Sequence, residues 1–443
     1  MLDKFKSMGQ SFVGKVADKA SEVNNKVGQR AKETEDDQHV VALDIGTEYV
    51  KALIGRVRGD TVEIVGVGRA HQNLSDMQAG AIADIASVVA NCDQALSQAE
   101  EQAGVSVRTT VIGIAGELVK GTTTTVRVTR KQPDKPLDLN EVEKIIKLVQ
   151  ERAEAKAKKQ LAWELGGKEV EVRLVNSALV GIEIDGYKVT SPIGFQGRDV
   201  VVQLYTAFAP MIHIGALERT AQQLDLDLLA VAAEPFAVAR SVIGNDANAS
   251  MSAVLMDVGG GTTDIAVIND GGVQGTKMFG IGGRAYTRAI ERELNVSFTQ
   301  AEEFKIGLST NHIPQPKVPA VEGALQKTLD VWISGVELAL SEFDKLDNLP
   351  NRLFLCGGGS SLDLLMEKLE SSDWYTELPF TRKPVVKHIQ PEQVAGIIDR
   401  TGDVTDHTFI TAMGLLRVGL DTLQFSTSPG DSVREKIDKM LRV

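Results

Sequence analysis

The segment of this 443-residue chain best suited to chemistry is a glycine-rich turn between two apolar stretches. It runs Asp257-Val258-Gly259-Gly260-Gly261-Thr262-Thr263-Asp264. Glycines let several backbone N–H groups approach an anion with no Cβ in the way, and the two threonines add hydroxyl donors. Asp257 ends an apolar stretch, where it is placed to hold a divalent cation through water. The pattern predicts a phosphate-binding loop; the alternative is a plain tight hairpin turn.

A second segment near the start of the chain has the same layout. Asp44 ends an apolar stretch, Gly46 and Thr47 form a turn, and Lys51 follows seven residues after Asp44. A lysine on the returning strand reaches back toward a β- or γ-phosphate. Turns of this kind are common, but two opposed hairpins are able to clamp a triphosphate between two domains. We therefore expect Asp44 and Asp257 to hold Mg²⁺ through water.

Three further motifs complete an adenosine nucleotide site. Glu234, before Pro235, offers a carboxylate that orients water near a γ-phosphate; its alternative role is a helix N-terminus. Glu302 and Lys305 lie on one helical face, suited to bonding a ribose, although such a spacing is also typical of a simple ion pair. Adenine is expected against the bare backbone of Gly357, Gly358 and Gly359. The predicted catalytic set is Glu234 with Asp44 and Asp257, and the cofactors are ATP and Mg²⁺.

Composition excludes several other classes of protein. The net charge of −12 argues against nucleic acid as the main partner, since phosphate binding needs clustered Lys and Arg. Cys92 and Cys356 are far apart in sequence, which rules out a disulfide scaffold and fits a reducing compartment. No uninterrupted apolar stretch reaches the roughly 18–20 residues of a spanning helix. Neither a protease triad, a zinc motif nor a Gly-x-x-x-x-Gly-Lys loop is present.

The pattern of elements places these motifs on a repeated unit. A strand ending in Asp, a Gly/Thr turn and a returning strand occur twice, at Asp44 and at Asp257, which predicts two related halves. Between them lies an α+β region with a charged helix. A helix is expected over residues 82–103, and separate strands over 170–175 and 177–184.

The order of the motifs, ending in Thr411-Ala412-Met413-Gly414-Leu415, resembles the superfamily of actin, heat-shock chaperone and sugar-kinase ATPases. Gly282-Gly283 followed by Thr287, and then Glu302 and Lys305, resembles its FtsA and PilM branch. Residues 191–198 are similar to the end of the inserted domain of FtsA. The resemblance extends over residues 40–420. Two departures are Ala289-Ile290 after the Gly-Gly motif and a short stretch between Lys305 and Arg352.

The fold that this resemblance implies is α/β: an actin/Hsp70-like two-domain ATPase fold with a small inserted α+β domain of SHS2 type. The predicted divisions are an amphipathic arm and acidic linker (1–38), the first part of domain I (39–109), the insert (110–207), the second part of domain I (208–250), domain II with a reduced subdomain at 299–350 (251–410), a closing helix (411–425), and a linker with an amphipathic helix (426–443).

The implied function is that of an FtsA-like protein at the division site, on the cytoplasmic face of the cell membrane. Its implied partners are an FtsZ-like tubulin homologue, copies of itself in filaments, and an anionic membrane surface, with ATP hydrolysed slowly at most. A PilM-like adaptor of a type IV pilus inner-membrane platform is the close alternative. A small-molecule kinase is the distant one, because the insert lacks an Asp/Asn/Arg cluster for a sugar.

Both ends of the chain predict amphipathic helices. At the C-terminus an apolar stripe alternates with cations, as in helices that bind anionic bilayer surfaces; its residues are Val433, Ile437, Met440 and Leu441. A basic N-terminal stripe through Phe5, Met8 and Phe12 is a candidate second anchor. The alternative for the C-terminal segment is docking on the protein itself.

Overall fold

The computed structural model describes residues 38–243 and 251–427. The predicted amphipathic arm and the predicted C-terminal helix lie outside the described residues, so both stay predictions. Within the described part, none of the helices is both long and apolar enough to cross a membrane.

Nearly all strands of the described residues belong to two large sheets. In chain order they are β1 (His39–Ile45), β2 (Tyr49–Arg58), β3 (Thr61–His71), β4 (Met77–Gln78), β5 (Ala81–Ile82), β6 (Thr109–Ile114), β7 (Lys120–Thr129), β8 (Val172–Ile184), β9 (Tyr187–Val189), β10 (Asp199–Pro210), β11 (Asp227–Ala233), β12 (Ala253–Val258), β13 (Thr263–Asn269), β14 (Gly272–Phe279), β15 (Arg352–Cys356), β16 (Val385–His388) and β17 (Ile397–Asp399). Strands β4 and β5 form a separate two-stranded ribbon.

The helices connect these strands and cover the sheets. In chain order they are α1 (Ile85–Ala103), α2 (Leu139–Glu164), α3 (Met211–Gln223), α4 (Glu234–Ile243), α5 (Gly283–Leu294), α6 (Phe298–Ser309), α7 (Val318–Ser341), α8 (Asp363–Ser371) and α9 (Ile410–Thr427). Short 3-10 turns occur at Gln315–Lys317, Gly358–Ser361, Trp374–Glu377, Pro391–Gln393 and His407–Phe409.

The first sheet has the strand order β11-β6-β1-β2-β3-β17. Strands β1, β2 and β3 form an antiparallel meander, and β6 and β11 continue the sheet in parallel. Every residue of β1 is buried, as expected for a central strand covered on both faces. Helix α1 lies so close to β3 that a Cβ on Gly68 would be 1.8 Å from the carbonyl oxygen of Ala95. Glycine is therefore required there.

The second sheet repeats this layout. Its order is β16-β15-β12-β13-β14-β7-β10-β8-β9, in which β12, β13 and β14 form the meander and β15 and β16 add in parallel. The predicted repetition of one unit in two related halves is thus confirmed. All residues of β12 are buried, and α7 covers this half with the fully buried Trp332.

The region that lies between the halves in the sequence has its own small core and extends the second sheet. Helix α2 packs on β7, β8 and β10 around a small core that includes Val126, Ile146 and Val202. Strand β7 pairs with β14 at Thr122 and Gly121. The insert therefore shares a continuous sheet with the second half, although it follows β6 of the first half in the chain.

Two expectations from the sequence are wrong in detail. Helix α1 begins at Ile85, not at residue 82, because Ile82 belongs to β5 and the Asp84 side chain caps the amides of Ala86 and Ser87. The strands expected at 170–175 and 177–184 form one strand, β8. Two register shifts against β10 absorb the irregular residues, so that the strand continues through Asn176.

Candidate functional site

The first hairpin, β1–β2, neutralises its own aspartate. Asp44 is buried at the end of β1 and lies in register opposite Lys51, whose Nζ is 2.9 Å from Asp44 Oδ2. The turn closes through a bond from the Gly46 amide to the Tyr49 carbonyl oxygen, 3.1 Å long. Burial opposes the charge on Lys51, but the carboxylates of Asp44 and Asp257 outweigh burial and raise the pKa of Lys51. The lysine is therefore a fixed cation at the base of this hairpin.

The second hairpin, β12–β13, places two carboxyl groups opposite each other. Asp257 and Asp264 are register partners, and both are buried. Thr411 donates a hydroxyl hydrogen bond to Asp257, and Thr262 Oγ1 donates to Asp264 Oδ2 over 3.0 Å. Asp264 Oδ1 is buried with no hydrogen-bond partner among the described residues. Burial raises the pKa of both carboxyl groups, and the charge of Asp257 adds to the effect on Asp264.

The hydroxyl group of Thr263 is used inside the protein. It donates to the Ile281 carbonyl oxygen over 2.7 Å and accepts from Trp332 Nε1 over 2.9 Å. Its single proton is thus committed to the core and is not left for a ligand.

Glu234, the first residue of α4, lies near the aspartates of both hairpins. It is buried against Gly113, where a Cβ would lie 2.8 Å from Glu234 Oε1. The pKa of Glu234 is raised well above its ordinary value, first by burial and then by three aspartates: Asp44, Asp264 and Asp257. Among the described residues, no group of three or more Asp, Glu, His or Cys side chains is arranged to hold a metal ion. A cation bound here would therefore be held through water.

The turns of the two hairpins touch. We call residues 46–48 the first loop and residues 259–262 the second loop. A Cβ on Gly260 would lie 3.0 Å from the Cβ of Glu48, and one on Gly261 would lie 2.7 Å from Thr47 Oγ1. Side chains at these two positions would have to displace Glu48 and Thr47, so Gly260 and Gly261 let the two loops lie this close.

Glu302 and Lys305 lie on α6 and form the ion pair that their spacing allows. Lys305 Nζ donates to Glu302 Oε2 over 2.8 Å, to Thr287 Oγ1 over 2.9 Å and to the Gly283 carbonyl oxygen over 3.2 Å. Thr287 also donates to Glu302. The amide of Gly283 donates to the carbonyl oxygen of Gly259 over 2.9 Å. This polar cluster is thus tied directly to the second loop.

The third glycine motif packs on the end of β12. Gly357 has φ +82°, and a Cβ there would lie 2.0 Å from Asp257 Oδ1. A Cβ on Gly359 would lie 2.7 Å from Val258 Cγ1, whereas Gly358 has open space around its Cα. The two outer glycines therefore allow close packing, and Gly358 presents bare backbone.

Three residues that matter for the geometry were not predicted as site residues. Asp264 ends the Gly/Thr motif, and Thr262, two residues before it in the second loop, donates a hydrogen bond to its carboxylate. Thr411 contacts Asp257 across 154 residues of sequence, and Arg284 contacts Glu48 across 236. Contacts of such range leave no local sequence signal.

The sequence comparisons point to one family. The family profile described as cell division protein FtsA matches residues 254–414, which include the second loop, Lys305 and Gly357–Gly359. Cell division protein FtsA of Pseudomonas aeruginosa is 25% identical over 402 residues, covering 86% of this chain and 89% of that protein. Over most of its length the chain is therefore similar to cell division protein FtsA.

Other relatives agree with this. Cell division protein FtsA of Bacillus subtilis is 26% identical over 268 residues, covering 60% of this chain and 57% of that protein. Among solved structures, the PilM–PilN type IV pilus biogenesis complex contains a chain that matches with a TM-score of 0.62 at 17% identity, over 86% of this chain and 98% of that one. The chain therefore shares the α/β fold of that structure, which agrees with the predicted fold class.

Proposed function

We propose that the chain binds ATP with Mg²⁺ between the first and second loops. The observation that carries this proposal is an imbalance of charge. Among the residues that the structure describes, one lysine, Lys51, faces four buried carboxyl groups: Asp44, Glu234, Asp257 and Asp264. The unpartnered Asp264 Oδ1 and the raised pKa of Asp257 fit a cation on the second hairpin. Mg²⁺ bound there through water would neutralise phosphate charge.

The rest of the site suits the other parts of the nucleotide. The Gly46 and Thr47 turn and the second loop supply backbone around the phosphates. The Glu302–Lys305 pair is 2.8 Å across and only partly exposed, so that a ribose hydroxyl can bond to it at the rim. The bare backbone at Gly358 leaves open space for a base.

Hydrolysis is proposed to be slow. Glu234 is the group best placed to orient water, yet burial raises its pKa well above the ordinary value. A carboxyl group that favours its protonated form accepts a proton from water poorly. Nucleotide binding, which closes the two halves on each other, is then the main role of ATP.

The cellular role that we propose is in division. Relatives named cell division protein FtsA align over most of the chain, which supports a protein that polymerises and tethers FtsZ filaments to the cytoplasmic membrane surface. The direct test is binding of the full chain to a C-terminal FtsZ peptide and to the N-terminal peptide of a pilus membrane protein. Binding of the FtsZ peptide alone supports the proposal, and binding of the pilus peptide alone contradicts it.

A PilM-like adaptor is the second candidate because of one cavity. A space of about 940 Å³ lies where the insert, the first half and the second half meet, lined by Lys120, Lys156, His213, Gln274 and Phe343 among others. Its size and mixed polarity suit a short peptide.

The distant kinase alternative predicts fast turnover that saturates with a small phosphoryl acceptor, a result that would exclude both adaptor roles.

Membrane attachment through residues 431–443 is part of the same proposal. Co-sedimentation of the full chain with anionic vesicles is expected to weaken for Ile437→Glu and to fall further when residues 1–38 are also removed. Glu435→Gln is a control in the same segment that leaves the apolar stripe intact. Undiminished binding of the doubly altered chain would show that neither segment is an anchor.

A further inference from the structure

One arginine of the second half reaches across to the first half beside the candidate nucleotide site. Arg284 is the second residue of α5, and its amide donates to the Gly260 carbonyl oxygen over 2.8 Å. Its side chain leaves this half: Nε donates to Glu48 Oε2 over 2.7 Å. The Arg284 side chain is 12% exposed, so the ion pair is largely shielded from water. A charged pair of this kind is stronger than a surface salt bridge.

The remaining guanidinium contacts also lie in the first half. Nη1 and Nη2 approach the carbonyl oxygens of Leu74 and Asn73 at 3.4 and 3.5 Å. Glu48 is in turn braced within the first half by His71, whose Nε2 is 2.8 Å from Glu48 Oε1. The backbone of Arg284 thus belongs to one half, whereas its side chain donates hydrogen bonds to Glu48, Leu74 and Asn73 of the other.

The contacts of Arg284 lie where Gly260 lets the first and second loops approach each other. Glu48 ends the first loop, and its Cβ would lie 3.0 Å from a Cβ on Gly260 in the second loop. Separation of the loops would therefore require the Arg284–Glu48 pair to break. Neither half needs that pair for its own sheet or core.

We propose that Arg284 is a positioning residue that clasps the first and second loops together through Glu48, so that the clasp sets how readily the two halves open and release nucleotide. The clasp itself rests on contacts within this chain. Only its effect on nucleotide release rests on the proposed function.

The first test measures opening without any ligand. Spin labels on cysteines introduced at Glu101 in α1 and Glu322 in α7, both exposed, report the distance between the halves in the full chain. The native cysteines are buried and should label poorly. Arg284→Glu, which places two negative charges together, is expected to lengthen or broaden the distance distribution. Adding Glu48→Arg should restore the narrow distribution, which a mere folding defect would not do.

The second test measures release of a fluorescent ATP analogue in the presence of Mg²⁺. Arg284→Ala is expected to release it about tenfold faster, the effect of losing one charge-assisted hydrogen bond. Arg288→Ala is the matched control, because the ion pair of Arg288 with Glu291 lies within α5. Its release rate and distance should equal those of the unaltered chain.

The outcomes separate the clasp from the nucleotide site. Equal distances in the unaltered chain and Arg284→Glu, or no recovery on adding Glu48→Arg, would overturn the clasp. Failure of the unaltered chain to bind the analogue would overturn the proposed function, and the distance measurements would still decide the clasp. A changed distance with an unchanged release rate would overturn its proposed effect on release.

Discussion

The two hairpins have the same backbone layout and opposite electrostatics. In the first, Asp44 has Lys51 as its register partner at 2.9 Å, so the hairpin contains its own counter-charge. In the second, Asp257 has Asp264 as its register partner, and hydroxyl groups are their hydrogen-bond donors. The residue opposite the aspartate, Lys51 in the first hairpin and Asp264 in the second, thus decides whether the hairpin is neutral or needs an external cation. The two hairpins share their backbone geometry and differ in charge at this position.

The comparison assigns different tasks to the two halves. The first hairpin supplies a permanent positive charge, suited to a phosphate. The second supplies unmatched negative charge, suited to hydrated Mg²⁺. The predictions below test this division, beginning with the largest expected effect.

Removal of Lys51 should have the largest effect. In Lys51→Met the buried carboxyl groups lose the lysine that faces them, and loss of one partner of a buried ion pair costs about 3–5 kcal/mol. Urea unfolding at neutral pH measures the change in the free energy of unfolding. Lys277→Met is the control, because Lys277 pairs with the more exposed Glu342. Equal effects of the two substitutions would contradict the buried counter-charge.

The same substitution should have opposite signs in the two hairpins. Asp44→Asn removes the partner of Lys51 and should destabilise the ligand-free chain by about 2 kcal/mol. Asp264→Asn removes a buried charge that burial disfavours, and should stabilise the ligand-free chain by about 1 kcal/mol. The same urea experiment compares them. Destabilisation by both would show that the hairpins do not differ as described.

The pH dependence of the free energy of unfolding should also reveal the buried carboxyl group of Asp264. The folded state raises the pKa of Asp264, so it holds that proton more tightly than the unfolded chain does. The stability that this group contributes is complete below its unfolded value of about 3.9 and is lost as pH rises through the raised folded value. Relative to Asp264→Asn, the ligand-free chain should therefore lose stability as pH rises above about 4. A constant difference across pH would contradict the raised pKa.

The smallest effect is expected at the rim of the site. Glu302→Gln keeps the hydrogen-bond geometry with Lys305 but removes the charge, and ATP affinity should fall about threefold with little change in stability. Glu303→Gln is the matched control, since Glu303 is the next residue of α6 and is exposed. Isothermal titration separates the two variants if Glu302 contacts the nucleotide, and finds equal affinities if it does not.

Local patterns in the sequence predict much of the fold and of the candidate site. The two hairpins, the glycine motifs and the Glu302–Lys305 pair were predictable because each depends on neighbours a few residues away. The unmatched charge of the second hairpin was not predictable, because it depends on the strand register that places Asp264 opposite Asp257. Register also explains why the sequence pattern predicts two strands where the structure has β8 alone: the irregular residues of β8 are absorbed by its pairing with β10. The clasp of Arg284 on Glu48 needs the complete fold.

Titration calorimetry of ATP into the full chain, with and without Mg²⁺, tests the account most directly. The charge imbalance on the second hairpin predicts one ATP site that is tight with Mg²⁺ and at least about tenfold weaker without it, because the buried carboxyl groups then repel the phosphates. Asp257→Asn should narrow that difference. ATP binding that is equally tight without Mg²⁺, or no ATP binding under either condition, would contradict the proposed site.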